Sequence, residues 1–228
     1  MTPRPSNSSP ARLPGSLLPR SFFARPPEIV APLLLGKLLV RRLGGRKAPL
    51  AGRIVEVEAY LGPHNATPDP AAHSHRGPTP RNAVLFGPAG HAYVYSIYGR
   101  YFCMNISCEA EGRAGCLLLR ALEPVAGLAA MTRNRGLQPD AGPAMLTSGP
   151  GRLCQALDLS RAKHNGLDLL VPSSPLQVRD DGFSVTECVV TPRIGIRRAA
   201  ELPLRFHLEG RRCVSGPRRL AGRRISIV

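Results

Sequence analysis

The sequence predicts a single α+β domain: a mainly antiparallel, curved sheet with flanking helices and a protruding β-hairpin. Three observations carry that reading. Strand-like runs come first, helical patterns follow, and further strand-like runs close the chain. The early strands are joined by short glycine-bearing turns. Finally, 228 residues with 43% hydrophobic content suit one substantial core, and no composition shift marks a domain break. The 23 glycines and 24 prolines imply a loop-rich chain, because both residues interrupt helices and strands.

Residues 1–20 read as a basic, disordered tail, leaving 21–228 as the domain. The first 27 residues hold no acid and carry Arg4, Arg12, Arg20 and Arg25 among Pro and Ser. They lack the apolar stretch of a signal peptide, and proline is too frequent for an amphipathic targeting helix. Pro27 suits the first turn of a helix through Glu-Ile-Val-Ala-Pro-Leu-Leu-Leu, ending near Gly36 and strained by Pro32. Residues 38–43 and 52–61 read as strands joined by Gly44-Gly45-Arg46-Lys47. Residues 62–90 form a long loop rich in Pro, His and Gly, and loops of that length are usually functional. Residues 91–98 and 101–108 are strands around a two-residue type II′ turn, Gly99-Arg100, which pairs Tyr98 with Tyr101 and Val94 with Asn105. A third strand covers 115–124. Helical patterns occupy about 125–135 and 149–158, the second opened by Ser148 as N-cap. Residues 186–196 and 204–210 are later strands.

Charge narrows the partners. Lys+Arg total 31 against 15 Asp+Glu, a formal net charge of +16, and only Lys37, Lys47 and Lys163 are lysine. Arginine usage can follow codon bias, but a two-to-one excess over acids cannot. It points to a polyanion, with guanidinium favouring phosphate. No run approaches the ~18–20 apolar residues of a membrane span. Cys103, Cys108, Cys116, Cys154, Cys188 and Cys213 form no CxxC and sit mostly in apolar stretches, as reduced, buried thiols do. His64, Asp69, His73 and His75 share one loop, but their spacing matches no common zinc pattern. No metal or other cofactor is expected.

The tyrosines are Tyr60 and the cluster Tyr93, Tyr95, Tyr98 and Tyr101. Tyr60 follows Glu58 by two residues on a strand, so the two share a face. Tyr93 and Tyr101 read as ordinary strand residues. Tyr98 flanks a hairpin tip, where a ring has little to pack against and can wedge between base pairs. Glu56 and Glu58 lie on one strand face in an apolar run. A buried carboxylate there is either a general base or half of an arginine salt bridge.

These residues stand inside recognisable motifs. They are Val-Glu-Val-Glu-Ala-Tyr-Leu-Gly-Pro (55–63), Ala-Ala-His-Ser (71–74), Thr-Pro-Arg-Asn (79–82), Tyr-Val-Tyr-Ser-Ile-Tyr-Gly (93–99), Tyr-Phe-Cys-Met-Asn-Ile-Ser (101–107), Leu-Leu-Arg-Ala-Leu-Glu-Pro (118–124) and Gly-Pro-Gly-Arg-Leu-Cys-Gln-Ala-Leu (149–157). Together, and in this order, they closely resemble the alkyladenine (3-methyladenine) DNA glycosylase family over about residues 17 to 215. The segment between Tyr60 and His73 is longer than the family pattern by Asn65 to Pro70, which makes His75 the neighbouring alternative to His73.

The resemblance implies a base-excision-repair enzyme. It would flip alkylated or deaminated purines out of double-stranded DNA and hydrolyse the N-glycosyl bond. By similarity, Tyr98 fills the gap in the duplex, and Tyr60, His73 and Tyr95 sandwich the extruded base. Glu58 activates the attacking water, Arg120 and the Ile194 carbonyl position it, and Asn105 rejects the exocyclic amine of guanine. Tyr95 and Asn105 face opposite ways in an ideal hairpin, so a shared pocket requires a bulge or strong twist. The lysines lie outside every motif, and position 2 is Thr2. A monofunctional, water-using mechanism therefore fits better than a Schiff-base one. A monomer is expected, placed inside the cell and, in a bacterium, in the cytoplasm with the nucleoid. A binding-only module has no use for Glu58, Tyr60, Arg120 and Tyr98 together.

Overall fold

Every strand pairing in the computed structural model is antiparallel, as short turns between neighbouring strands require. The structure describes residues 14–45, 47–216 and 222–227. Most of the expected tail, residues 1–13, lies outside them. Within residues 14–20, β1 (Ser16–Leu17) pairs with a later strand and α1 (Arg20–Phe23) begins at Arg20.

The chain continues through α2 (Pro27–Leu34), β2 (Leu38–Arg41), β3 (Leu50–Tyr60), α3 (Ala83–Phe86), β4 (Ala92–Ile97), β5 (Tyr101–Cys108) and β6 (Gly115–Ala126). Four short helices follow: α4 (Leu128–Asn134), α5 (Pro143–Thr147), α6 (Pro150–Ala156) and α7 (Arg161–His164). The last strands are β7 (Leu176–Asp180), β8 (Glu187–Thr191), β9 (Arg205–His207) and β10 (Arg223–Ser226). This is a single α+β domain with an antiparallel sheet. The sheet order is β1-β7-β2-β3-β6-β5-β4, and it branches along β3. Leu50–Arg53 pair with β2, whereas Glu56–Glu58 pair with β9, which continues to β8 and β10.

Most expected elements are present with shifted ends. Pro27 opens α2, and the helix stops two residues past Pro32. In the expected 44–47 turn, Arg46 lies outside the described residues. The strand expected over 186–196 ends at Thr191, because Pro192 cannot donate to the ladder. Ser148 is not the N-cap of α6. That position is Gly149, at φ 120°, a conformation glycine tolerates and serine does not. Ser148 Oγ instead donates to the Val214 carbonyl at 3.4 Å. Among the described residues β1, β7, β10, α1, α3, α5 and α7 were not anticipated. They are short or irregularly patterned, and their partners are remote in sequence.

The hairpin register also differs from the sequence expectation. Ile97, not Tyr98, faces Tyr101, so the loop has three residues, Tyr98-Gly99-Arg100. Tyr98 (φ 50°) and Gly99 (φ 66°) both adopt the left-handed conformation, and Arg100 N–H donates to the Ile97 carbonyl at 3.3 Å. Each residue of β5 thus pairs one residue earlier along β4 than expected. A one-residue slip exchanges faces. Tyr93 now opposes Asn105 and Tyr95 opposes Cys103, and all four side chains share one face with no bulge in the hairpin ladder.

Two clusters follow from that alternation. The main core holds Val94, Met104, Ile106, Leu117 and Leu119 with α2, α5 and α6. A second cluster on the other face holds Tyr60, Ala72, Leu85, Tyr93, Cys103, Cys116 and Leu118. All six cysteines are buried and unpaired, and among the described residues no helix is long and apolar enough to cross a membrane.

Candidate active site

Period-2 geometry brings Glu58 and Tyr60 to the second cluster. Tyr60 Oη donates to Glu58 Oε2 at 2.9 Å. Burial, reinforced by the neighbouring Glu58 charge, raises the Tyr60 phenol well above its ordinary range, so it stays a donor. Ile194, 136 residues away in sequence, donates its backbone N–H to Glu58 Oε1 at 2.8 Å. Arg120 Nη1 lies 3.1 Å from the same oxygen and 3.5 Å from the Ile194 carbonyl. Glu58, Arg120, Ile194 and Tyr60 therefore meet at one place.

Arg120 reaches that place through an irregularity. Along β3 and β6, Glu56 opposes Ala121 and Val57 opposes Leu119, which leaves Arg120 as the extra residue of a bulge. Bulges re-aim side chains, and here the guanidinium enters between two fully buried carboxylates. Glu56 Oε1 accepts from Arg120 Nε (2.9 Å), Arg205 Nε (2.6 Å) and Ser215 Oγ (3.0 Å), and Oε2 accepts from Ser215 N–H (2.6 Å). Burial pulls the Arg120 guanidinium down, but Glu58 and Glu56 outweigh it and raise it overall. The pair on one strand face thus divides: Glu56 is enclosed by two arginines, while Glu58 abuts the aromatic cluster.

The long loop supplies the opposite wall. His73 Nδ1 is 3.0 Å from Tyr93 Oη, and its ring sits edge-on to Tyr95 at 4.6 Å between centroids. Tyr93 and Tyr95 stack at 5.2 Å. Desolvation, then the nearby Arg81 charge, lowers the His73 imidazole below its ordinary value, which keeps it neutral. Motif neighbours hold the loop. Asn82 Nδ2 donates to the His73 carbonyl at 2.9 Å, and Ser74 Oγ donates to the Ala114 carbonyl at 3.0 Å. His73, rather than His75, is therefore the histidine against Tyr95. Asn105 is buried on the same hairpin face, with its Oδ1 unpartnered. Tyr98 stands apart at the hairpin tip, 90% exposed. Asp69 turns away from the histidines into an ion pair with Arg193.

A buried carboxylate with a bound donor set beside a cluster of tyrosine and histidine rings can place a proton-accepting group next to a flat apolar ligand. A family model described as Methylpurine-DNA glycosylase (MPG) matches residues 21–212. The chain belongs to the methylpurine-DNA glycosylase family. As a member, it is a hydrolase of N-glycosyl bonds that acts in the repair of alkylated DNA. It is similar to proteins that carry the name "Putative 3-methyladenine DNA glycosylase". That of Koribacter versatilis is 55% identical over 203 residues, 89% of this chain and 95% of that protein. Those of Nitrobacter winogradskyi (49% over 209 residues, 91% of each chain) and Methanoculleus marisnigri (50% over 202 residues, 87% of this chain and 98% of that protein) extend the likeness.

Several residues that contact these candidate side chains carry no functional expectation from the sequence. Tyr93, read as an ordinary strand tyrosine, contacts His73, and its i, i+2 spacing from Tyr95 was the available signal. Arg193, Arg205 and Ser215 carried none, because each reaches the site only through distant chain segments.

Proposed function

We propose that this glycosylase flips 3-methyladenine-type lesions, hypoxanthine and ethenoadenine out of duplex DNA and excises them by water attack, leaving an abasic site. The carrying observation is Glu58. It is fully buried, receives the Tyr60 hydroxyl and the Ile194 N–H, and borders the ring cage of Tyr60, His73, Tyr93 and Tyr95. In this reading the base stacks among those rings, which suit an electron-poor purine. Glu58 takes a proton from a water that attacks C1′, and its charge stabilises the oxocarbenium developing as the base departs. Arg120 and the Ile194 carbonyl hold that water. In this reading Asn105, buried with its Oδ1 unpartnered, selects against the exocyclic amine of guanine. Tyr98, exposed on a turn, occupies the gap in the duplex.

In this reading no lysine forms a covalent intermediate. Lys37 is tied to Asp180 at 2.6 Å, on the far side of β3 from β6. The test is release of free base from duplexes carrying each lesion, by wild type and by Glu58→Gln. Wild type should release base and leave an intact abasic strand. Glu58→Gln should bind the duplexes but excise about 10²–10⁴-fold more slowly. Unchanged excision by the variant would remove Glu58 from the mechanism.

A further inference from the structure

Behind Tyr60 lies an ion pair that the reaction as described does not use. Arg193 and Asp69 have fully buried side chains. Arg193 Nη1 meets Asp69 Oδ2, and Nη2 donates to Oδ1 at 3.0 Å, a bidentate fork. The guanidinium also donates to the Ala59 carbonyl (3.1 Å) and the Ala199 carbonyl (3.2 Å), and its carbon sits 4.5 Å from the Tyr60 ring centroid. Asp69 accepts from the backbone N–H of Leu61 (3.3 Å) and of Ala71 (3.0 Å).

Three segments therefore converge on one pair. The end of β3 carries Glu58 and Tyr60. The loop after Asp69 carries His73. Arg193 immediately precedes Ile194, whose N–H holds Glu58 and whose carbonyl faces Arg120. Fixing the Arg193 side chain at four points fixes the plane of the next peptide, and with it the direction of that N–H.

We infer that Asp69 and Arg193 are positioning residues that set the base-holding wall and the water-activating carboxylate at one fixed separation. The inference rests on the proposed reaction. The pair is buried behind Tyr60 and acts by holding Ile194, Tyr60 and the His73 loop in a single frame. Displacement of catalytic groups by about 1 Å costs on the order of 10²-fold in rate, so loosening the frame should slow the bound complex without weakening its formation.

Two variants test this. Arg193→Lys keeps the charge opposite Asp69 but cannot span both carbonyls and the ring. Asp69→Asn with Arg193→Gln removes both charges together, which avoids leaving one buried alone. For each, three quantities are measured: the unfolding midpoint, the dissociation constant for a duplex with a tetrahydrofuran abasic analogue, and the single-turnover excision rate at saturating enzyme. The expected result is native unfolding, duplex binding within about 2-fold of wild type, and saturating excision reduced about 10–100-fold. That loss should be equal for paired and mispaired lesions.

A folded variant that excises at the wild-type saturating rate overturns the inference. So does a loss that appears only in duplex binding, or failure of both variants to fold, since the pair would then staple the fold rather than the site. Wild type that releases no base from any lesion would instead defeat the proposed reaction, which keeps the two failures distinct.

Discussion

Glu56 and Glu58 are two residues apart, both fully buried, and differ in what surrounds them. Glu56 balances Arg120 and Arg205, so Glu56→Gln leaves two buried guanidinium groups sharing one carboxylate fewer. Breaking such a network costs about 3–5 kcal/mol, and urea unfolding should show a loss of that size. His73 makes a second prediction at this scale. Its folded value is lowered by desolvation first and by Arg81 second, so neutral imidazole is the favoured form. The associated stability is present above the ordinary histidine value of 6.5 and is lost as pH falls through the lowered folded value. An NMR titration should place the His73 midpoint below 6.5, and Arg81→Ala should move it upward. A midpoint at or above 6.5 would contradict the assignment.

The β4–β5 hairpin turns on a residue that opposes its own backbone. Tyr98 holds φ 50° while 90% exposed, so no packing in the described residues compensates the strain. Left-handed backbone costs a non-glycine residue about 1–2 kcal/mol. Tyr98→Gly should therefore leave the thermal midpoint unchanged or slightly raised, the relief being partly offset by the freer unfolded chain. Excision should fall nonetheless, more on fully paired duplexes than on destabilised mispairs, where the base leaves the stack more easily. Equal losses on both would argue against a wedge. The same hairpin shows why element-level reading stopped short. Its strands were legible from alternation, but its register depended on one loop residue. Taking Tyr98 into the loop places Asn105 on the face of Tyr95 instead of behind it. Arg120 is a parallel case, since regular alternation contains no signal that β6 bulges there.

Across the whole molecule, the arginine excess is uneven: Pro192 onward holds ten arginines and two acids. Of these, Arg193 and Arg205 are buried in ion pairs, whereas Arg197, Arg198, Arg212, Arg223 and Arg224 are exposed, and phosphate contacts made by such residues carry no sequence or lesion information. Binding to undamaged duplex should fall on the order of 10³-fold or more between 50 and 200 mM salt if 6–10 phosphates are neutralised. Single-turnover excision at saturating enzyme should change by only about 2-fold, because Glu58 and Arg120, the groups proposed to act on the water, are buried and poorly screened. A salt dependence as steep for the saturated rate would place exposed charge in the chemistry itself. Composition thus identified a polyanion partner, and strand periodicity put Glu58 beside Tyr60, because an i, i+2 relation holds in any strand whatever it packs against. The chain order of the motifs carried the family. Only the tertiary structure decided that Tyr93 faces His73, that Glu56 and Glu58 have different neighbours, and that Asp69 meets Arg193 across 124 residues. The reason is physical: local sequence sets which face a side chain takes, whereas loop length, bulges and sheet branching set what that face meets.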